Sequence, residues 1–377
     1  MRKECDELKA IVIGSGIAGA SAAYHLVKKG ADVSILDEGH EGQSTKAGAG
    51  IICPWFSSRS ENWYRLARAG AAYYPSLVSQ LKQDGETGTG YAKTGALRVS
   101  GDVGALDRIE RKLREQKREA PETGDITRLS NEEARRLFPP LGEGLEAIYV
   151  SGAARVDGHL LRNTLLSAAK KHGAVLLNGK AELSVEQDVI KGVIIDGRLL
   201  SADAVILAGG AWTNQLLQPL GIQLPLEPQR GQIVHLKVLD GETGKWPVIL
   251  PDTDHYIVSF DGSRVVAGAT RETGSGFDYR ITAGGIEEVL NKALSVAPGL
   301  HGAALEEIRI GFRPFTKDLL PLLGHIPGAD GLIAATGFGP SGLTIGPYAG
   351  SLIASLAFGE KTDLHIDQYL PVRDISK

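Results

Sequence analysis

The sequence predicts an α/β fold, α+β overall, in which a Rossmann-like unit is interleaved with a β-sheet-rich unit. Three observations predict it. First, an apolar run at 10–13 leads into Gly14-Ser15-Gly16-Ile17-Ala18-Gly19, a helical stretch at 20–29, a second apolar run at 33–36, and then Asp37. Second, a buried-type strand at 204–208 stops at Gly209-Gly210-Ala211-Trp212, and a late strand at 331–336 again runs into a glycine loop and a helix. Third, the stretch 226–270 turns β-rich, with Asp261-Gly262 marking a hairpin between runs 255–260 and 264–270.

The first observation carries chemistry. A lone GxGxxG is weak, but here it has the strand, tight turn, helix and second strand that the motif needs, with a carboxylate roughly twenty residues on. Gly14 permits the turn, Gly16 lets the backbone approach a pyrophosphate, and Gly19 lets helix and strand pack closely. The first-turn N–H groups around Ile17 and Ala18, with the positive end of the helix dipole, face the phosphates. Asp37 is placed to accept hydrogen bonds from a ribose diol. The pattern reads as an adenine dinucleotide site.

Composition bounds the rest. With 377 residues, 42% apolar and 23% charged, the chain can build a large core in one or two domains. A formal net charge of -4 gives no reason to invoke nucleic acid or an acidic membrane surface. The two cysteines, Cys5 and Cys53, imply no disulfide framework and fit a reducing cytoplasm. The early apolar run is not expected to be a signal peptide, because acidic residues precede it and it carries the nucleotide motif. No apolar run is long enough to span a membrane. A cytoplasmic location is expected, with peripheral membrane contact left open.

Between these landmarks, the small-residue segment 42–50 suits a backbone lying close to a flat ligand, and Ser44 and Thr45 offer hydroxyls to phosphate. Helical spacing covers 62–82 with an interruption expected at Pro75, and a charged, solvent-facing helix is expected over 103–118. Strands are expected at 96–100, 175–177, 182–186, 189–195 and 232–238, and helices at 160–171, 287–295 and 346–358. Pro347 would then sit in a first turn, where it is tolerated.

The C-terminal run Leu332-Ile333-Ala334-Ala335-Thr336-Gly337-Phe338-Gly339-Pro340-Ser341-Gly342-Leu343-Thr344 places three glycines between a strand and a helix. A second helix N-terminus there suits the negative charge of a reduced flavin, which favours FAD over NAD. With these residues in view, the chain resembles the D-amino-acid oxidase, glycine oxidase and D-amino-acid dehydrogenase superfamily of flavoproteins over essentially its whole length. The resemblance rests on 14–19, 44–51, 205–212, Gly311-Phe312-Arg313-Pro314 and 337–344. It implies an FAD-binding domain from residues 1–78, 150–224 and 309–377, and a substrate-binding domain from 79–149 and 225–308. It further implies that Asp37 and Glu38 meet the adenosine ribose, Ser44 and Thr45 the phosphates, and Ala49, Gly50 and Ile51 the isoalloxazine edge. The run from Gly337 and Gly339 through Pro340, Ser341, Gly342 and Leu343 to Thr344 would hold the flavin's pyrimidine end. Relatives with covalent flavin carry a cysteine after the arginine motif. Pro314-Phe315-Thr316-Lys317-Asp318 has none, so noncovalent FAD is expected.

The resemblance also assigns the substrate. Arg313 offers a planar fork for both oxygens of an α-carboxylate, and Tyr256 a hydroxyl to the same group. With the substrate so held, no side-chain acid or base is expected in catalysis, only orientation, desolvation and flavin electronics. The expected activity is oxidative deamination of a small or hydrophobic D-amino acid, with O2, a quinone or another acceptor taking the electrons. A glycine/sarcosine-type or other secondary-amine oxidase is the alternative. The 339–341 loop resembles the D-amino-acid dehydrogenases more than the glycine oxidases, and Ile52-Cys53-Pro54-Trp55 promises an apolar wall. The histidines are scattered and no metal site is expected; a homo-oligomer is compatible with the sequence.

Overall fold

A computed structural model describes residues 7–239 and 241–373. Cys5 lies outside the described residues. The first sheet has six strands in the order Leu322–His325, Leu332–Thr336, Ala204–Leu207, Lys9–Ile13, Asp32–Asp37, Val175–Asn178. All neighbours are parallel except the Leu322–His325 edge. Lys9–Ile13 is central and nearly all buried, as a parallel strand covered on both faces must be. Its alternate residues feed two cores. Ala10 and Val12 pack with the helices on one face. Ile11 and Ile13 pack under a three-stranded antiparallel meander, Glu182–Glu186, Val189–Ile195 and Arg198–Ser201, on the other.

The helix Ile17–Lys28, with Gly16 as its N-cap, starts three residues earlier than the expected 20. It packs on the C-terminal helix Gly342–Ala357 through small residues. A Cβ on Gly350 would lie 2.6 Å from Ser21 Cβ, and one on Gly346 would lie 2.9 Å from Ile17 Cγ2. The C-terminal helix begins four residues before the expected 346, so Pro347 is its sixth residue rather than a first-turn one. The carbonyl four residues back, that of Leu343, loses its helical donor to the proline. Tyr74 supplies the replacement: its hydroxyl donates to Leu343 O, while Ser21 Oγ donates to Pro347 O at 2.6 Å. Pro75 does not break its helix either. Glu61–Gln83 is continuous, and Pro75 lies on its exposed side, where the ring meets no packed neighbour.

The larger sheet has nine strands and takes in Ala96–Ser100, Glu227–Lys237, Tyr256–Phe260 and Arg264–Gly268. Its longest strand, Ala304–Phe315, was not expected. It pairs antiparallel along the whole of Glu227–Lys237 and sets Arg313 opposite Gln229. The helix Val103–Gln116 is amphipathic and buries Leu106 and Leu113.

Asp84 ties three helices together. It accepts from the Tyr24 hydroxyl (2.6 Å), Lys28 Nζ (3.0 Å) and His172 Nε2 (3.0 Å). Burial pushes its pKa up, but the Tyr24, Lys28 and His172 hydrogen bonds outweigh that and hold it at about 2. A depressed carboxylate stabilises the fold above its unfolded pKa and loses that contribution as pH falls through the folded one. Asp84→Ala should therefore destabilise the protein by about 2–3 kcal/mol at pH 7. In urea denaturation the gap to wild type should close between about pH 4 and about pH 2. A gap constant down to pH 2 would show that the carboxylate charge is not what matters.

Candidate active site

A cleft of about 1130 Å³ opens at the carboxyl ends of the parallel strands and runs across to the larger sheet. In an open α/β sheet this is where ligands bind. Ile13, Gly14, Gly16, Asp37 and Glu38 line one end; Arg59, His255, Tyr256, Arg271 and Arg313 line the other.

The three glycines of the first turn have different reasons to be glycine. Gly14 has φ +98°, and a Cβ there would lie 2.3 Å from Ala208 O. A Cβ on Gly19 would lie 1.9 Å from Gly14 O, so Gly19 sets helix–strand packing and does not line the cleft. Around Gly16 a Cβ would meet only Thr45 Oγ1, at 3.4 Å, so its outer face looks into the cleft. Ile17 N donates to Thr45 Oγ1 at 3.0 Å, which places Thr45 at the helix N-terminus. Ser44 lines the cleft too, but its hydroxyl donates to Phe312 O, so it is turned away from the phosphate position expected for it.

Asp37 also differs from expectation. Ser15 N donates to its Oδ2 at 2.7 Å, the Ser15 hydroxyl donates to the same oxygen, and Gly39 N and Gln43 Nε2 donate to Oδ1 at 2.8 and 3.0 Å. Burial opposes its charge, but the Ser15 and Gly39 bonds and the nearby Arg162 keep its pKa below the usual carboxylate range. These four bonds take up a carboxylate's acceptor positions. A ribose diol would have to replace one of them, whereas the adjacent Glu38 is exposed. Arg162, which the sequence reading missed, donates from Nε to Ser15 O at 2.7 Å and braces the turn.

In the middle of the cleft, Ala49, Gly50 and Ile51 run along one wall. Gly50 has φ +78°, and a Cβ there would lie 1.7 Å from Val156 O. The opposite wall is Gly339, Pro340, Ser341, Gly342, Leu343 and Thr344, at the N-terminus of the last helix. Thr344 Oγ1 donates to Ile51 O at 2.8 Å and joins the two walls. Gly337 is not part of the lining. Its φ of +75° and a Cβ position 3.0 Å from Leu322 give it a turn-forming role instead.

Arg313 and Tyr256 come together at the far end. Arg313 lies over Gly231, where a Cβ would be 2.5 Å from its Nη2. One guanidinium nitrogen, Nη1, donates to Gln229 Oε1 (3.2 Å) and Thr270 O (3.0 Å). Burial lowers the Arg313 pKa and raises that of Tyr256, and each group pulls the other partway back. The expected apolar wall is only partly present. Trp55 is 2% exposed, packs in the core and does not line the cleft; Cys53, Pro54 and Phe56 do. Burial pushes the Cys53 thiol up to about 12, so it behaves as a small apolar group. Arg59 and Arg271 share this end of the cleft and had not been anticipated. Neither belongs to a motif. Among the described residues no three His, Cys, Asp or Glu side chains assemble as a metal site, and no helix is long and apolar enough to cross a membrane.

A glycine-lined approach at one helix N-terminus, a middle walled by 49–51 and 339–344, and a second helix N-terminus fit an extended dinucleotide with a flat flavin end. The comparisons with known proteins agree. The family description "FAD dependent oxidoreductase" (DAO) matches residues 9–356. The chain is 50% identical over 363 residues to the uncharacterized oxidoreductase YurR of Bacillus subtilis (strain 168), covering 96% of this chain and 98% of that one. The crystal structure of iminodiacetate oxidase (IdaA) from Chelativorans sp. BNC1 superposes with a TM-score of 0.93 at 46% identity, covering 96% and 98% of the two chains. Glycine oxidase from Geobacillus kaustophilus gives 0.85 at 27% identity, with 98% and 100% covered. The chain belongs to the DAO family of FAD-dependent oxidoreductases, and FAD is its cofactor.

Proposed function

We propose that this chain oxidises the C–N bond of glycine or a small N-substituted glycine, a secondary-amine amino acid. The more general activity, FAD-dependent oxidation of amines and amino acids, follows from the family. The observation that carries the finer reading is the Arg313–Tyr256 pair at the end of the cleft away from the Gly14–Gly19 turn. Likeness to an iminodiacetate oxidase and to glycine oxidases supports it over a D-amino acid with a hydrophobic side chain. So does a wall in which Phe56 and Cys53 share space with arginines.

In this reading the six-stranded sheet belongs to the FAD-binding unit and the nine-stranded sheet to the substrate-binding unit. Ala304–Phe315 crosses the boundary expected at 308/309, so Arg313 is held by the larger sheet. Gly16, Ile17 and Thr45 would hold the pyrophosphate, Glu38 and Asp37 the ribose, and the 49–51 and 339–344 walls the flavin ring. When bound, the flavin supplies the two-electron sink that turns the substrate's C–N single bond into an imine, which water hydrolyses. Arg313 fixes both oxygens of the substrate carboxylate with its planar fork. Tyr256 donates to one of them, which fixes the direction of the Cα–H bond. The pair is half-buried at the end of the cleft, so a bound substrate would displace water there and strengthen both contacts.

Anaerobic mixing of the yellow protein with a panel of amines tests the reading. Glycine, sarcosine or another N-substituted glycine should bleach it at least ~10-fold faster than D-alanine, D-proline or any L-amino acid with a larger side chain. Fastest bleaching by D-alanine, or by an L-amino acid, would reject it.

A further inference from the structure

The substrate end of the cleft holds an imbalance of charge. Arg59, Arg98, Arg271 and Arg313 line it, against two carboxylates, Asp252 and Asp254. Arg98 pairs with Asp252 at 3.2 Å, and Arg271 with Asp254 at 2.8 Å. Two arginines are left over. Among the described residues neither Arg313 nor Arg59 has a carboxylate within 4.0 Å.

Arg59 is the less expected of the two. It is partly buried, stacks over Trp63 with Cζ 4.7 Å from the ring centroid, and donates from Nη1 to Ser341 Oγ at 2.8 Å. That is its one side-chain hydrogen bond among the described residues, and a guanidinium has five N–H donors. Burial, then the charges of Arg271 and Arg313, push its pKa down to about 10 against the pull of Asp254. So the three guanidinium groups sense one another across the same space. Two fixed, partly desolvated cations without counter-ions are costly in a free protein. One substrate carboxylate, on Arg313, neutralises only one of them.

We propose that the preferred substrate carries two carboxylates, with Arg313 and Tyr256 taking the one beside the reacting carbon and Arg59, helped by Arg271, taking the second. This rests on the oxidation reading above and specifies its substrate class. The second carboxylate hangs from the amine nitrogen, so the substrate is a glycine whose N-substituent carries it. A dianion matches the leftover charge; glycine and sarcosine match half of it. Arg59 is thus a specificity residue, with its stack on Trp63 and its bond to Ser341 holding the fork in place.

The test uses the flavin-loaded full chain and two probes without an oxidisable amine, thiodiacetate and methylthioacetate. Each is titrated by its perturbation of the flavin absorption. Wild type should bind thiodiacetate at least ~10-fold more tightly. Arg59→Gln should bring that ratio to within about 2-fold of unity, and Arg59→Lys should restore part of it. Arg271→Gln, on an exposed side chain, should lower the ratio several-fold and serves if Arg59→Gln loses FAD or fails to fold. A wild-type ratio near one, or a ratio unmoved in the variants that retain FAD, overturns the proposal. Turnover of iminodiacetate should exceed that of D-aspartate and D-glutamate at least ~10-fold, and faster turnover of either D-amino acid would overturn the proposal. The two readings fail separately. A strong thiodiacetate preference with no bleaching by any amine would leave the two-carboxylate site and remove the oxidation. Bleaching by sarcosine with a ratio near one would do the reverse.

Discussion

Gly16→Val should yield a folded, colourless protein. The backbone at Gly16 has φ −63° and ψ −178°, which any residue adopts, and a Cβ there meets only Thr45 Oγ1 at 3.4 Å. The chain therefore has room for the first carbon. The two methyl groups beyond it enter the space that a pyrophosphate needs beside the helix N-terminus. FAD retention should fall by at least ~100-fold, about 3 kcal/mol, with the thermal transition still cooperative. Gly19→Val is the contrasting variant, because its Cβ would lie 1.9 Å from Gly14 O and the fold itself should suffer. In wild type, heat or acid precipitation should leave FAD in the supernatant. Flavin in the pellet would indicate a covalent bond. A fully yellow Gly16→Val protein would remove the dinucleotide assignment.

Arg313→Ala should keep FAD and lose the substrate. Its guanidinium is held by Gln229 Oε1 and Thr270 O from one side, which leaves Nε and Nη2 without protein acceptors among the described residues. Those are the donors a carboxylate would use. Losing both the charge and the alignment of Cα–H should lower kcat/KM on an α-amino acid by at least ~100-fold, since displacements near 1 Å already cost that much. Arg313→Lys keeps the charge without the fork and should recover only part. Tyr256→Phe removes one hydrogen bond and should cost about 0.5–1.5 kcal/mol. If Arg313→Ala loses flavin, the arginine serves the fold and the anchor role falls.

What was legible in the sequence was local. Gly14–Gly19 with Asp37, the 337–344 loop and Gly311–Pro314 are each contiguous, and each lies at or beside the cleft. The strand Ala304–Phe315 was illegible because charged Glu306, Glu307 and Arg309 and the breakers Gly311 and Pro314 hide its alternation; its partner Glu227–Lys237 is what keeps it extended. Pro347 misled the helix boundary because its remedy, the Tyr74 hydroxyl, comes from 273 residues earlier in the chain. Asp37 looked free for a ribose because Gln43 and Ser15 reach it only through the folded turn. Arg59 and Arg271 are 212 positions apart and belong to no motif, so only the cleft brings them together. Trp55 packs in the core while the next residue, Phe56, lines the cleft, because both lie in a turn beyond the strand Ile51–Ile52, where no alternation applies.

The central claim is that a carboxylate held by Arg313 selects what is oxidised. Sarcosine and dimethylamine present the same secondary amine and differ in that carboxylate alone. Rapid anaerobic mixing of each with the flavin-loaded protein, followed by loss of the yellow absorption, compares them directly. Sarcosine should bleach the protein at least ~100-fold faster at equal concentration of neutral amine. Equal rates for the two amines would contradict the account.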